Sequence, residues 1–163
     1  MEDLNHPKVQ PYSRDIGVRY GLELKFLDFI EATDRPRCFR YRVEDVEMAW
    51  TCCVPDKFDV AYPLWSTNGD HTLLLVSNEE IWFGKGWHDH PAMEMISRTS
   101  QGLLVNLFIA VIESELSDDE LISAAQFAGF RYLKETFTLV DTEHQNWKEA
   151  VEQFIADIDA QNC

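Results

Sequence analysis

The stretch Tyr62 to Gly86, YPLWSTNGDHTLLLVSNEEIWFGKG, constrains the fold of this chain more than any other. Its apolar runs, Tyr62 to Trp65, Leu73 to Val76 and Ile81 to Phe83, are each short enough to be a strand and too short to be a packed helix. Asn68-Gly69 separates the first two, and both residue types accept the positive φ that a tight hairpin requires. Asn78-Glu79-Glu80 separates the second and third. The pattern predicts a three-stranded antiparallel meander over about 62–83 and, with the helical periodicities elsewhere, an α+β fold in which several helices pack on a central antiparallel sheet.

Around this stretch the helical signals are uneven. Leu22, Phe26, Phe29 and Ile30 recur at helical spacing, whereas residues 1–14 carry Pro7 and Pro11 and read as an irregular arm. Cys38 to Val43 alternates apolar and basic residues, as a half-exposed strand would, and Glu44 to Cys53 fits either a short helix or an extension of that strand. Gly84 to Pro91 reads as a loop, because two glycines and a proline crowd into it. Gln101 to Leu116 is apolar on more than one face and is expected to be covered on several sides. Ser117-Asp-Asp-Glu120 has the spacing of a capping box opening a helix that Gly129 ends. Phe130 to Val140, rich in Thr and aromatics, reads as extended, although Leu133, Phe137 and Val140 also fit a helix, and Thr142 to Gln145 reads as a second capping box before a final amphipathic helix. With no repeat or linker, residues 1–163 are expected to form a single domain.

Composition bears on function through charge. Fourteen Lys and Arg oppose 29 Asp and Glu, a formal net charge of −15. From Thr99 onward, twelve acids against three bases give −9, so the first 98 residues carry −6. Such a field disfavours nucleic acid and anionic membrane, and it steers basic partners toward the surface. The longest apolar run, Leu103 to Ile112, is about half of the ~20 residues a membrane span needs, and the polar, proline-broken N-terminus has no secretory pattern, so a cytoplasmic protein is expected. Cys38, Cys52, Cys53 and Cys163 have neither zinc-knuckle nor disulfide-framework spacing and read as plain thiols.

His88-Asp89-His90, followed four residues later by Glu94, has the ligand spacing of a cupin strand, with His71 as a possible fourth ligand. A cupin needs a further histidine on a later strand, and the only later one, His144, opens the last helix, so no metal or other cofactor is expected. No G-x-S-x-G elbow, activated cysteine or phosphate-binding glycine loop is present, and an enzyme is not expected.

Trp65-Ser-Thr-Asn-Gly-Asp70, the apolar strand Thr72 to Val76, Ile81-Trp-Phe83, and Ser97-Arg-Thr-Ser100 leading into the leucine-rich helix resemble, in that order, the core of the SUKH superfamily. The resemblance covers roughly residues 58–116. It implies an α+β domain and, as for many members, an immunity protein that neutralises a cognate toxin, often a nuclease. The family's opening helices are echoed only by Tyr20 to Ile30, and the acidic extension after Ser117 is longer than the family's. The expected function is therefore a non-enzymatic acidic protein that occludes a basic site on a toxin. Asp70, Glu79, Glu80 and Asp89 are the candidate contacts, with Trp82 and Trp87 as aromatic anchors. The alternatives are a cupin-like metal protein using His88, His90 and Glu94, and a regulatory adaptor for another basic partner.

Overall fold

The computed structural model describes residues 7–46, 54–78, 80–87 and 92–163. At its centre is a four-stranded antiparallel meander, β1 (Val60–Thr67), β2 (Asp70–Val76), β3 (Ile81–Gly86) and β4 (Met93–Ser97), in that spatial order. Asn68 and Gly69 form the first turn at φ 51° and 86°, the left-handed pair that matches hairpin twist. The register runs from Thr67 opposite Asp70 to Val60 opposite Val76. It slips between Pro63 and Trp65, where a bulge accommodates a proline that cannot donate to a ladder. Although β1 is an edge strand, local chain covers it: Val9 pairs with Ala61 in parallel and Glu44 with Ser66 in antiparallel sense.

The expected loop over 84–91 is corrected at its start, where β3 runs on through Gly86; residues 88–91 lie outside the described residues. Gly84 is a packing residue in β3 rather than a chain breaker: a Cβ there would lie 2.9 Å from Leu75 Cδ1 and 3.1 Å from the Glu94 carbonyl. Its bareness lets β2, β3 and β4 close up.

Strand alternation sorts the apolar residues into two cores. Tyr62, Trp65, Leu74, Val76 and Phe83 face the helices, while Ala61, Leu73 and Leu75 face the other way, against Val54 and Phe58. Among the described residues six helices follow the chain: α1 (Arg14–Arg19), α2 (Leu24–Glu31), α3 (Ser100–Ile112), α4 (Asp118–Ala128), α5 (Leu133–Asp141) and α6 (Trp147–Asn162). In the main core Phe29 lies edge-on to Phe39, Trp65 and Phe127, and Phe108 stacks on Phe130 at 4.5 Å. The apolar helix α3 touches β4, α4, α5 and α6, which accounts for its having almost no polar face.

Three further expectations are corrected. Cys38 to Val43 is no strand but a 3₁₀ turn, Arg37–Phe39, continued by turns. Its alternation has another cause: Phe39 is fully buried between Phe29 and Phe108, and Arg42 reaches the Ala110 carbonyl and the Ser114 hydroxyl at the end of α3. Phe130 to Val140 is mostly helix, because Thr136 and Thr138 donate their hydroxyls to the Tyr132 and Lys134 carbonyls and so fit a helical backbone. The cap of α6 is Asn146, which accepts from the Glu149 amide, while Thr142 donates back to the Thr138 carbonyl. The expected arm over 1–14 joins the sheet at Val9, and α1 begins at Arg14. Residues 1–6 and 47–53, with most of the ambiguous stretch Glu44 to Cys53, lie outside the described residues.

Candidate functional site

The meander decides which of the sequence candidates share a surface. The hairpin between β1 and β2 and the connection from β3 to β4 lie at the same end of the sheet, because His71 pairs with Gly86 and Gly86 with Met93. Asp70, His71 and Trp87 therefore belong to one end. Glu80 and Trp82 flank the turn between β2 and β3 at the other, about 20 Å away for a strand of this length at ~3.3 Å per residue. The four described candidate contacts do not form one cluster. Glu79, Asp89, His88 and His90 lie outside the described residues.

At the first end His71 is buried, and its Nδ1 is 2.9 Å from the Ser66 hydroxyl on the neighbouring strand. Glu94 is exposed on β4 opposite Lys85. Among the described residues no group of three or more His, Cys, Asp or Glu is placed to hold a metal ion.

At the second end Trp82 is held between cations. Lys57 Nζ lies 5.4 Å and the Arg98 guanidinium 5.9 Å from its ring, while Glu80 bridges Lys57 at 3.1 Å and Arg98 at 3.8 Å. The buried indole N–H makes no hydrogen bond of ordinary geometry. Its dipole beside Glu80 is nonetheless the foremost influence, ahead of Lys57, that holds this carboxyl below the usual carboxylate range. The charges of this group are paired among themselves, which favours a structural clasp over an open contact site.

Two larger features lie outside the six candidate contacts. The first is a polar hub where β4 enters α3. The Asp159 carboxylate, brought by α6, accepts from the Ser97 hydroxyl at 2.6 Å, the Thr99 hydroxyl at 2.6 Å and the Arg98 amide at 2.8 Å. Thr99 in turn caps α3 by accepting from the Gly102 amide. Beside it the buried Gln101 donates to the Gly129 carbonyl and accepts from the Arg131 amide, and Glu23 gathers Ser100, Gln101 and Arg131. The Ser97-Arg-Thr-Ser100 motif is thus the junction at which α2, α3, α6 and the α4–α5 turn are fixed to the sheet.

The second is the outer face of the C-terminal helices. Of the twelve acids after Thr99, only Asp159 is buried; the other eleven, from Glu113 to Asp157, are exposed. Of the three bases in the same segment, Arg131 pairs with Glu23 and Lys148 with Glu152. Phe137 and Trp147 are exposed on these helices at 44% and 40%, and the Trp147 ring rests against His144 at 5.7 Å. The tally from Thr99 onward was the signal for this surface, but only its folding as three surface helices puts the charges outward together. No helix among the described residues is long and apolar enough to cross a membrane. No family model matches the chain, and no match was found among the curated proteins or the solved structures.

Proposed function

We propose that this chain is a non-enzymatic binding protein of the immunity type, whose acidic C-terminal helices occupy a basic site on a partner protein, such as the substrate cleft of a nuclease toxin. The observation that supports the reading is the outward display of eleven carboxylates on and beside α4, α5 and α6. Exposed charges of one sign contribute little to fold stability, whereas they raise encounter rates with a basic partner. Trp147 and Phe137 supply the aromatic area from which interface anchors are drawn. The resemblance of residues 58–116 to SUKH proteins supports the immunity role in particular. On this reading Asp70 and Trp87 are separate from the main contact, and Glu80 with Trp82 serves the fold.

The test is association with the protein encoded by the neighbouring gene, followed by stopped-flow or surface-based kinetics. Binding is expected to be fast at low ionic strength and to slow by about tenfold or more at high salt, because the screening length falls from ~10 Å at 0.1 M to ~3 Å at 1 M. The Glu149→Lys, Glu152→Lys, Asp157→Lys variant is expected to lower the association rate by about tenfold with an unchanged circular dichroism spectrum. Absence of a complex at low ionic strength overturns the immunity role; a complex whose association ignores both salt and these substitutions overturns the acidic face.

A further inference from the structure

Four arginines crowd into residues 35–42, and they divide into two pairs. Arg35 and Arg42 are half-buried and bind carbonyls at the ends of α2 and α3. Arg37 and Arg40 are exposed, and the only contact of either guanidinium among the described residues at ion-pair, hydrogen-bond or ring distance is Arg40 over the Tyr41 ring at 5.5 Å. Both project into a groove of about 560 Å³ whose opposite wall is the start of α4, with Leu116, Asp119, Glu120 and Ser123, and Arg37 helps hold the Glu120 carboxyl below its usual range. Asp119 is likewise without a partner among the described residues. A second groove shares Arg37 and Arg40 and carries Asp34, Glu44 and Asp45 beyond them; Asp45 lies 3.8 Å from Arg35 and Glu44 accepts from the Asn68 amide, which leaves Asp34 as the open acid.

Across the two grooves the charge therefore runs acid, base, acid, within a molecule of formal charge −15. A uniformly acidic ligand meets Asp119 and Asp34; a uniformly basic one meets the guanidiniums of Arg37 and Arg40, neither of which is at ion-pair distance from a carboxylate among the described residues. An occupant with a central carboxylate flanked by cations complements Asp119, Asp34 and both exposed guanidiniums, with the carboxylate on the guanidinium forks. Since the pattern continues past one pocket, it fits a length of chain rather than a single small molecule. We propose that the paired grooves around Arg37 and Arg40 bind an extended peptide segment whose charges alternate cation, carboxylate, cation, its backbone lying over Tyr41 and Leu116. Cys38, which also lines the groove, contributes an apolar thiol: burial raises its pKa, so it stays protonated.

The site shares the start of α4 with the acidic helical surface but none of Glu149, Glu152 and Asp157, and its test needs no natural partner. Three blocked synthetic peptides, Lys-Gly-Asp-Gly-Lys, Lys-Gly-Lys-Gly-Lys and Asp-Gly-Asp-Gly-Asp, are titrated into the isotope-labelled protein, and amide and side-chain shifts are followed at Arg37, Arg40, Tyr41 and Asp119. The mixed peptide is expected to perturb these residues in a saturable way, and to bind there about tenfold more tightly than either uniform peptide. In the Arg37→Glu, Arg40→Glu variant the preference is expected to pass to the all-lysine peptide. Equal local binding of the mixed and uniform peptides, unchanged preference in the variant, or no perturbation of these residues at peptide concentrations of about 5 mM overturns the proposal. The acidic-face reading stands or falls separately, on its own kinetics.

Discussion

Gly102 shows how much of this fold rests on single atoms. A Cβ at this position would lie 2.1 Å from the Ser97 hydroxyl and 2.8 Å from Asp159 Oδ1, inside the hydrogen-bonded hub. Gly102→Ala is therefore expected to cost about 2 kcal/mol in urea unfolding, although alanine is the better helix former. Asp159→Ala leaves two hydroxyls and one amide without their acceptor and is expected to cost about 3 kcal/mol. Paired with Ser97→Ala it is expected to be non-additive by about 1 kcal/mol in a double-mutant cycle, which a merely additive result contradicts. Tyr12 carries the opposite kind of strain: its hydroxyl is buried without a partner. Burial first, then the nearby Glu31 carboxylate, push its pKa up from 10.0 to about 12. Because the folded protein holds this proton more tightly, the corresponding stability is present below pH 10.0 and is lost as pH rises toward about 12. Tyr12→Phe is expected to leave neutral-pH stability nearly unchanged and to flatten the decline in melting temperature across that alkaline window.

At the scale of elements, the sequence was most legible where local chemistry alone sets conformation. Asn68-Gly69 has no better use than a hairpin, and the Ser117 box forms as spaced, its hydroxyl accepting from the Glu120 amide while the Glu120 carboxylate returns to the Ser117 amide. Those hydrogen bonds from Ser117, with a smaller contribution from Arg37, hold the Glu120 carboxyl below its usual range. Its stabilisation is hence complete above the ordinary carboxylate pKa and lost as pH falls through the lowered one. Ser117→Ala is expected to cost about 1 kcal/mol and to bring the Glu120 titration, followed by NMR, back toward the ordinary range. Elements whose residues answer to distant partners were less legible. Arg42 looked like one member of a strand's alternation and is a ligand of α3, while the threonines of α5 carried strand propensity into a helix. Gly84 is the clearest instance: its meaning lies in Leu75 and Glu94, which no local window contains.

Across the whole molecule, β2 sits between two strands and two cores, with Leu73, Leu74 and Leu75 fully buried. Its amides are expected to exchange most slowly in native-state hydrogen exchange, at the global unfolding free energy, whereas α5 with its exposed outer face exchanges earlier. Faster exchange in β2 than in α5 would contradict the meander as the most stable unit. The sequence alone determined that a hairpin-centred sheet lies under helices and that the chain carries its acid toward the C-terminus, since turn geometry and charge count are properties of residues and their near neighbours. Tertiary structure alone decided where those charges face. It split the candidate contacts between two ends of the sheet, buried Asp159 while leaving eleven other acids exposed, and set Arg37 and Arg40 facing Asp119 across a groove. Register and helix packing are many-body outcomes of burial, and a surface is defined only once they are complete.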